Sequence, residues 1–149
     1  MNSNYDFNTS ILSVADDFYE AYLRCIEGKN PTKDEFNRTR YEVTNIPAIV
    51  NGAFAIELYI KSRLVKKTRG HNLRTLFSKL DKETKDRIRS EIESKIDKRF
   101  TSFSKQFWTI AKAFEYWRYI HEKNDFGYGL NVTINNISIF VETFRKILR

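Results

Sequence analysis

The stretch Ile46–Phe77, IPAIVNGAFAIELYIKSRLVKKTRGHNLRTLF, decides how this chain reads. From Ile46 to Ile60 only Asn51 and Glu57 are strongly polar, which predicts a helix that is apolar nearly all round and packs against neighbours on several sides. Ile49, Ala53, Ile56, Ile60 and Leu64 form one stripe, and Val50, Phe54 and Leu58 widen it. Ala48, Gly52, Ala55 and Ser62 supply small surfaces that let another helix approach. Gly70 is the expected end of the helix, and Asn72 the expected cap of a short helix whose Leu73, Leu76, Phe77 and Leu80 face inward. A carboxylate inside such a helix needs a partner. Lys61, four residues beyond Glu57, stands in the favourable order for an ion pair on one face. It also begins a run of six basic residues and no acids: Lys61, Arg63, Lys66, Lys67, Arg69 and Arg74.

Working outward, Ile11, Ala15, Phe18, Tyr22 and Cys25 recur at steps of three and four and predict a first amphipathic helix, with Gly28 as its stop. Thr32 and Glu35 have capping-box spacing, so a short helix is expected before the break at Pro47. On the other side Asp81 reads as an N-cap, followed by a mostly solvated helix with the narrow stripe Ile88, Ile92 and Ile96. Phe103, Phe107, Ile110, Phe114, Trp117 and His121 mark the next helix. After a turn-like DFGYGLN, Ile137, Phe140, Val141, Phe144, Ile147 and Leu148 mark the last. The expectation is an all-α protein, a single helical bundle of about five to seven helices spanning residues 1–149.

Composition narrows the function classes. Hydrophobic residues make up 41% and aromatics 15% of 149 residues, enough for a core without disulfides or structural metal. Five Gly and two Pro argue against an all-β protein of many short strands. A lone Cys25 and an amino terminus without a secretory pattern point to the cytoplasm. No apolar run reaches the roughly 20 residues that cross a bilayer, so no membrane partner is expected. Two His and one Cys give no zinc spacing, and there is no P-loop, dinucleotide fingerprint or GxSxG elbow. Neither a metal nor a cofactor is expected. The net charge of +7 favours a polyanionic partner, although a moderately basic protein need not have one.

Three segments, AFAIELYIKS (residues 53–62), GHNLRTLF (70–77) and FEYWRYIHE (114–122), together resemble the HEPN superfamily of small helical bundles. The resemblance runs from Ile46 to Glu122 and is nearest to the uncharacterised or abortive-infection-like members. It implies a bundle that often dimerises and often binds or acts on RNA or nucleotides, in a defence or toxin–antitoxin setting. Active members carry an arginine followed four to six residues later by a histidine. This chain departs from that pattern: two residues separate Arg118 from His121, seven separate Arg63 from His71, and one separates Arg69 from His71. The departure favours binding over cleavage.

On the binding reading Lys61, Arg63, Arg69 and Arg118 hold phosphate, and His71 or His121 lines the groove. On the alternative, a metal-independent endoribonuclease, Arg118 and His121 are the catalytic pair. The arginine stabilises charge on the phosphorus centre, and the histidine moves a proton at the 2′-hydroxyl or the leaving oxygen. Each candidate also has a purely structural reading. His121 completes a core stripe while Arg118 pairs with Glu115 or Glu122, Glu57 and Lys61 form a structural ion pair or face a cleft, and His71 serves the turn. Lys66, Lys67 and Arg69 complement a helix C-terminus. A third function, a homodimerisation or protein-interaction module, rests on the small and aromatic helix faces.

Overall fold

The computed structural model of the chain describes residues 3–27, 32–33, 35–37, 39–40, 45–118 and 134–149. These form an all-α helical bundle. Helix α1 (Ser3–Ile26) is followed by a pair of two-residue strands, β1 (Thr32–Lys33) and β2 (Thr39–Arg40), then α2 (Asn45–Arg63), α3 (Leu73–Ser78), α4 (Lys82–Glu93), α5 (Phe103–Arg118) and α6 (Ile134–Leu148). Helix α2 is the central element, touching α1, α3, α5 and α6, while α4 lies outside against α5 and α6.

The central position follows from composition. Ala48, Ile49, Ala53, Ala55, Ile56, Tyr59 and Ile60 are all buried, so α2 is covered on more than one side, as its lack of polar residues requires. Pro47 stands in the first turn, where its missing N–H costs no hydrogen bond. Gly52 marks the closest approach: a methyl group there would come within 2.9 Å of Val141 Cγ2 and 3.2 Å of Tyr22 Cδ2, so α1 and α6 both reach α2 where it has no side chain. Beside it the hydroxyls of Tyr22 and Ser138 share a hydrogen bond.

The caps also form as the local pattern dictates. The Asn72 side chain accepts the Thr75 N–H at 3.0 Å and starts α3, and the Asp81 side chain accepts the Thr84 N–H at 2.8 Å and starts α4. Leu73, Leu76, Phe77 and Leu80 are buried, as are Ile88 and Ile92. Beneath α3, the rings of Phe77, Phe103, Phe107, Phe140 and Phe144 form a cluster with centroid separations from 5.4 Å for Phe103–Phe107 to 6.4 Å for Phe140–Phe144.

Two expectations are corrected. The helix expected from the Thr32 and Glu35 pattern is replaced by a short antiparallel pairing in which Thr32 faces Arg40 and Lys33 faces Thr39. Asn37 takes φ 60° in the reversal, a left-handed conformation that Asn tolerates better than most residues. Helix α2 stops at Arg63 rather than at Gly70. The Leu64 N–H bonds back to the Lys61 carbonyl at 3.2 Å, tightening the last turn, and Arg63 Nε donates to the Leu148 carbonyl at 2.6 Å. Gly70 instead belongs to the connection that follows, at φ 96°. The expected stop at Gly28 and the turn DFGYGLN lie outside the described residues.

At the same end of the bundle, polar side chains tie α1, α2 and α6 together. The Tyr59 hydroxyl donates to Asp16 Oδ1 at 2.7 Å, and Arg149 Nε reaches Asp16 Oδ2 at 2.8 Å. The Tyr19 hydroxyl donates to Glu142 Oε1 at 2.6 Å, under the Arg145 guanidinium 4.5 Å from the Tyr19 ring centre. Burial, together with the Glu142 carboxylate, pushes the Tyr19 phenol up to about 12. Burial and Asp16 raise Tyr59 well above the usual phenol range.

Candidate functional site

Glu57 projects from the middle of α2 with its side chain 1% exposed. One of its oxygens, Oε1, accepts two hydrogen bonds: Lys61 Nζ at 2.8 Å, one helical turn on, and His71 Nδ1 at 2.8 Å, from beyond the end of the helix. The other oxygen, Oε2, is buried and has no hydrogen-bond partner among the described residues. Lys61 is 16% exposed and His71 50% exposed, so the cluster runs from the core outward to solvent.

The chain reaches this geometry because it doubles back after Arg63. Residues 64–72 carry Lys66, Lys67, Arg69 and Gly70 at the surface, and Gly70 adopts a backbone conformation that a side chain would resist. His71 follows directly, and Asn72 then anchors α3. An ionised carboxylate oxygen only accepts, so His71 carries a proton on Nδ1 and turns Nε2, on the half-exposed ring, away from Glu57. A buried acid thus fixes the orientation of a surface imidazole. The Lys61 ammonium offsets the charge that would otherwise be unfavourable to bury.

The sequence-derived candidates are placed as follows. Lys61 and Glu57 form the expected pair on α2, and it is buried. His71, assigned to the turn or to phosphate, is joined to Glu57 as a third member of the cluster. Arg63 is exposed, but its Nε is engaged by the α6 C-terminal carbonyl of Leu148. Arg69 lies exposed in the connection beside His71. His121 lies outside the described residues, and only the backbone of Arg118, at the end of α5, is described. The structure therefore neither joins nor separates that pair. Trp117 is packed partly against the core.

Sequence reasoning missed the Glu57–His71 contact, which spans 14 residues and has no periodic signature. The signal available was the isolated Gly-His dipeptide after a basic run, which marks a change of chain direction. It also missed a cleft lined by Arg74 of α3, Arg89 of α4 and residues of α5. Among the described residues no three His, Cys, Asp or Glu side chains group as a metal site, and no helix is long and apolar enough to cross a membrane. No protein-family model, curated protein or solved structure matches the chain.

Proposed function

We propose that this chain is a HEPN-like binding protein for RNA or a nucleotide, held through its phosphates along the basic segment from Lys61 to Arg74 with His71 at the centre. The observation that carries the reading is the Glu57–His71 hydrogen bond of 2.8 Å: a buried acid holds a half-exposed imidazole in one orientation within an acid-free, basic stretch. A histidine needed only for a turn does not require a buried carboxylate. In this reading Arg69 supplies charge and His71 a directed polar contact. Lys61 pairs with Glu57, and Arg63 shares itself between ligand and the α6 terminus. The setting is a cytoplasmic homodimer of a defence or toxin–antitoxin system.

Retention of labelled RNA, measured over a salt series, tests it. Affinity is expected to fall steeply with salt, because phosphate contacts release counterions, and Arg69→Ala is expected to lower the slope by about one. Retention indifferent to salt would remove the phosphate-led interface.

The same hydrogen bond favours a second reading, a metal-independent endoribonuclease with His71 in place of the Arg118 and His121 pair. An imidazole whose Nδ1–H is fixed by a carboxylate keeps Nε2 available as a base. The substrate 2′-hydroxyl attacks its own phosphorus and passes its proton to Nε2, and the P–O5′ bond breaks as the leaving oxygen takes a proton from solvent. Chelator-resistant cleavage lost in His71→Ala and kept in His121→Ala is the expected outcome of this reading. The reverse pattern would return the chemistry to Arg118 and His121, and binding without cleavage by the wild-type protein would leave the first reading alone.

A further inference from the structure

We infer that the cleft between α3, α4 and α5 binds a terminal phosphate monoester, at the end of an RNA strand or on a free nucleotide; the inference rests on the phosphate-ligand reading above and gives that ligand a second anchor. The cleft has a volume of about 440 Å³, within the range of about 300–1,000 Å³ typical of small-ligand sites. It begins at Asn72, the residue after His71, so it adjoins the Glu57 cluster along the chain.

The lining selects an anion. Arg74 and Arg89 both border the cleft, and no carboxylate does. Asp86, one turn before Arg89, is held by Lys82 at 2.7 Å and also feels the Arg89 charge, but no carboxylate stands within ion-pair distance of either arginine among the described residues. Lys85 Nζ adds a third cation nearby, donating to the Ser78 carbonyl at 3.3 Å on the rim. Thr75 and Ser104 supply hydroxyls to the lining.

The floor makes these charges effective. Phe103 and Phe107 are buried at its base, and the Arg89 guanidinium stands 5.4 Å from the Phe103 ring centre. A guanidinium seated against a ring keeps its outward N–H groups aligned for bidentate contact with phosphate oxygens. Because the aromatic faces are already packed, the floor supplies an apolar base rather than a stacking platform for a base. The site therefore recognises the phosphate group, and two arginines suit the dianionic terminal group better than an internal diester.

The test compares binding of a short 5′-phosphorylated RNA, the same RNA with a 5′-hydroxyl, and adenosine 5′-monophosphate. The 149-residue chain and its Arg89→Gln, Arg74→Gln and Arg87→Gln forms are used, with each fold checked by circular dichroism. Arg87 is the control, an exposed arginine on the same helix that borders a different groove. Wild-type protein is expected to prefer the phosphorylated RNA about tenfold, the size of one charge-assisted contact. Arg89→Gln and Arg74→Gln should erase that preference, and Arg87→Gln should keep it. Arg89-dependent binding of adenosine 5′-monophosphate assigns the ligand as a free nucleotide; dependence seen only with RNA assigns a strand end.

Equal affinity of wild-type protein for both RNAs overturns the inference, as does an equal effect of Arg87→Gln and Arg89→Gln, which is a net-charge effect. RNA retention that depends on Arg69 and His71 but not on Arg89 overturns the cleft and leaves the proposed function standing. Failure of every probe to bind wild-type protein removes both.

Discussion

Two carboxylates are bound to helix α2, and they are treated oppositely. Asp16 of α1 meets Tyr59 with its side chain 26% exposed, and both its oxygens are occupied, Oδ1 by Tyr59 at 2.7 Å and Oδ2 by Arg149 at 2.8 Å. Glu57 is 1% exposed, yet both its donors, Lys61 and His71, share Oε1 and leave Oε2 without a partner among the described residues. The better-solvated acid is saturated and the less-solvated one is not. A buried acceptor left unpaired costs free energy, about 1–3 kcal/mol. Asp16 therefore behaves as a tie between α1, α2 and α6, whereas Glu57 retains an unfavourable arrangement whose visible product is an oriented, half-exposed His71.

The largest expected effect comes from deleting each acid in turn. Glu57→Ala leaves the Lys61 ammonium, 16% exposed, without its partner and opens a hole beside the core, so a loss of about 3 kcal/mol is expected from urea unfolding midpoints. Asp16→Ala removes partners from the buried Tyr59 hydroxyl and the half-exposed Arg149, and is expected to cost about 1–2 kcal/mol. If the Asp16 variant proves the less stable of the two, the contrast between tie and site fails. Glu57→Gln refines it further. The amide keeps an acceptor for Lys61 and loses the charge that holds His71, so RNA binding should fall more than stability does.

How much of this was legible in the sequence depends on the distance over which each feature is decided. Asn72 and Asp81 cap their helices through bonds three residues long, and both were readable. The Glu57–Lys61 pair lies within one helical turn and was readable too. So was the inward face of α6, where Ile137, Phe140, Val141, Phe144 and Leu148 are buried. The Thr32 and Glu35 pattern misled because two residues of capping chemistry are weaker than the pairing of Thr32–Lys33 with Thr39–Arg40 around Asn37. The end of α2 was misplaced because it is set by a tertiary contact, Arg63 with the Leu148 carbonyl, across 85 residues. The partnership of Glu57 with His71 depends on the route of residues 64–70, which no periodicity encodes.

A milder perturbation at the saturated acid sharpens the comparison. Tyr59→Phe keeps the buried ring and removes the hydroxyl that donates to Asp16, for an expected loss of about 1 kcal/mol. Alkaline titration reads the same end of the bundle. Tyr19 and Tyr59 both hold their protons more tightly folded than unfolded, Tyr19 up to about 12 from an ordinary 10.0. The stabilisation is fully present below pH 10 and is lost as pH rises from there towards about 12. Thermal midpoints should fall across that window, and less steeply in Tyr59→Phe. An unchanged slope would mean that burial and Asp16 together do not hold the Tyr59 proton.

The smallest expected effect on stability is at His71, and it separates tie from site most cleanly. The ring is half exposed, and its contact with Glu57 leaves Lys61 still bound to the same oxygen, so His71→Ala is expected to change stability by no more than about 0.5 kcal/mol. If the imidazole served only to satisfy Glu57, the variant would lose stability and nothing else. If Glu57 exists to hold the imidazole, RNA binding should drop about tenfold while the unfolding midpoint stays put. His71→Gln adds a check, because its amide N–H can donate to Glu57 without presenting an imidazole nitrogen to a ligand. Stability kept by both variants, with binding lost by both, ties the buried acid to function; stability rescued by Gln with binding never altered reduces the cluster to a second, less well paired tie.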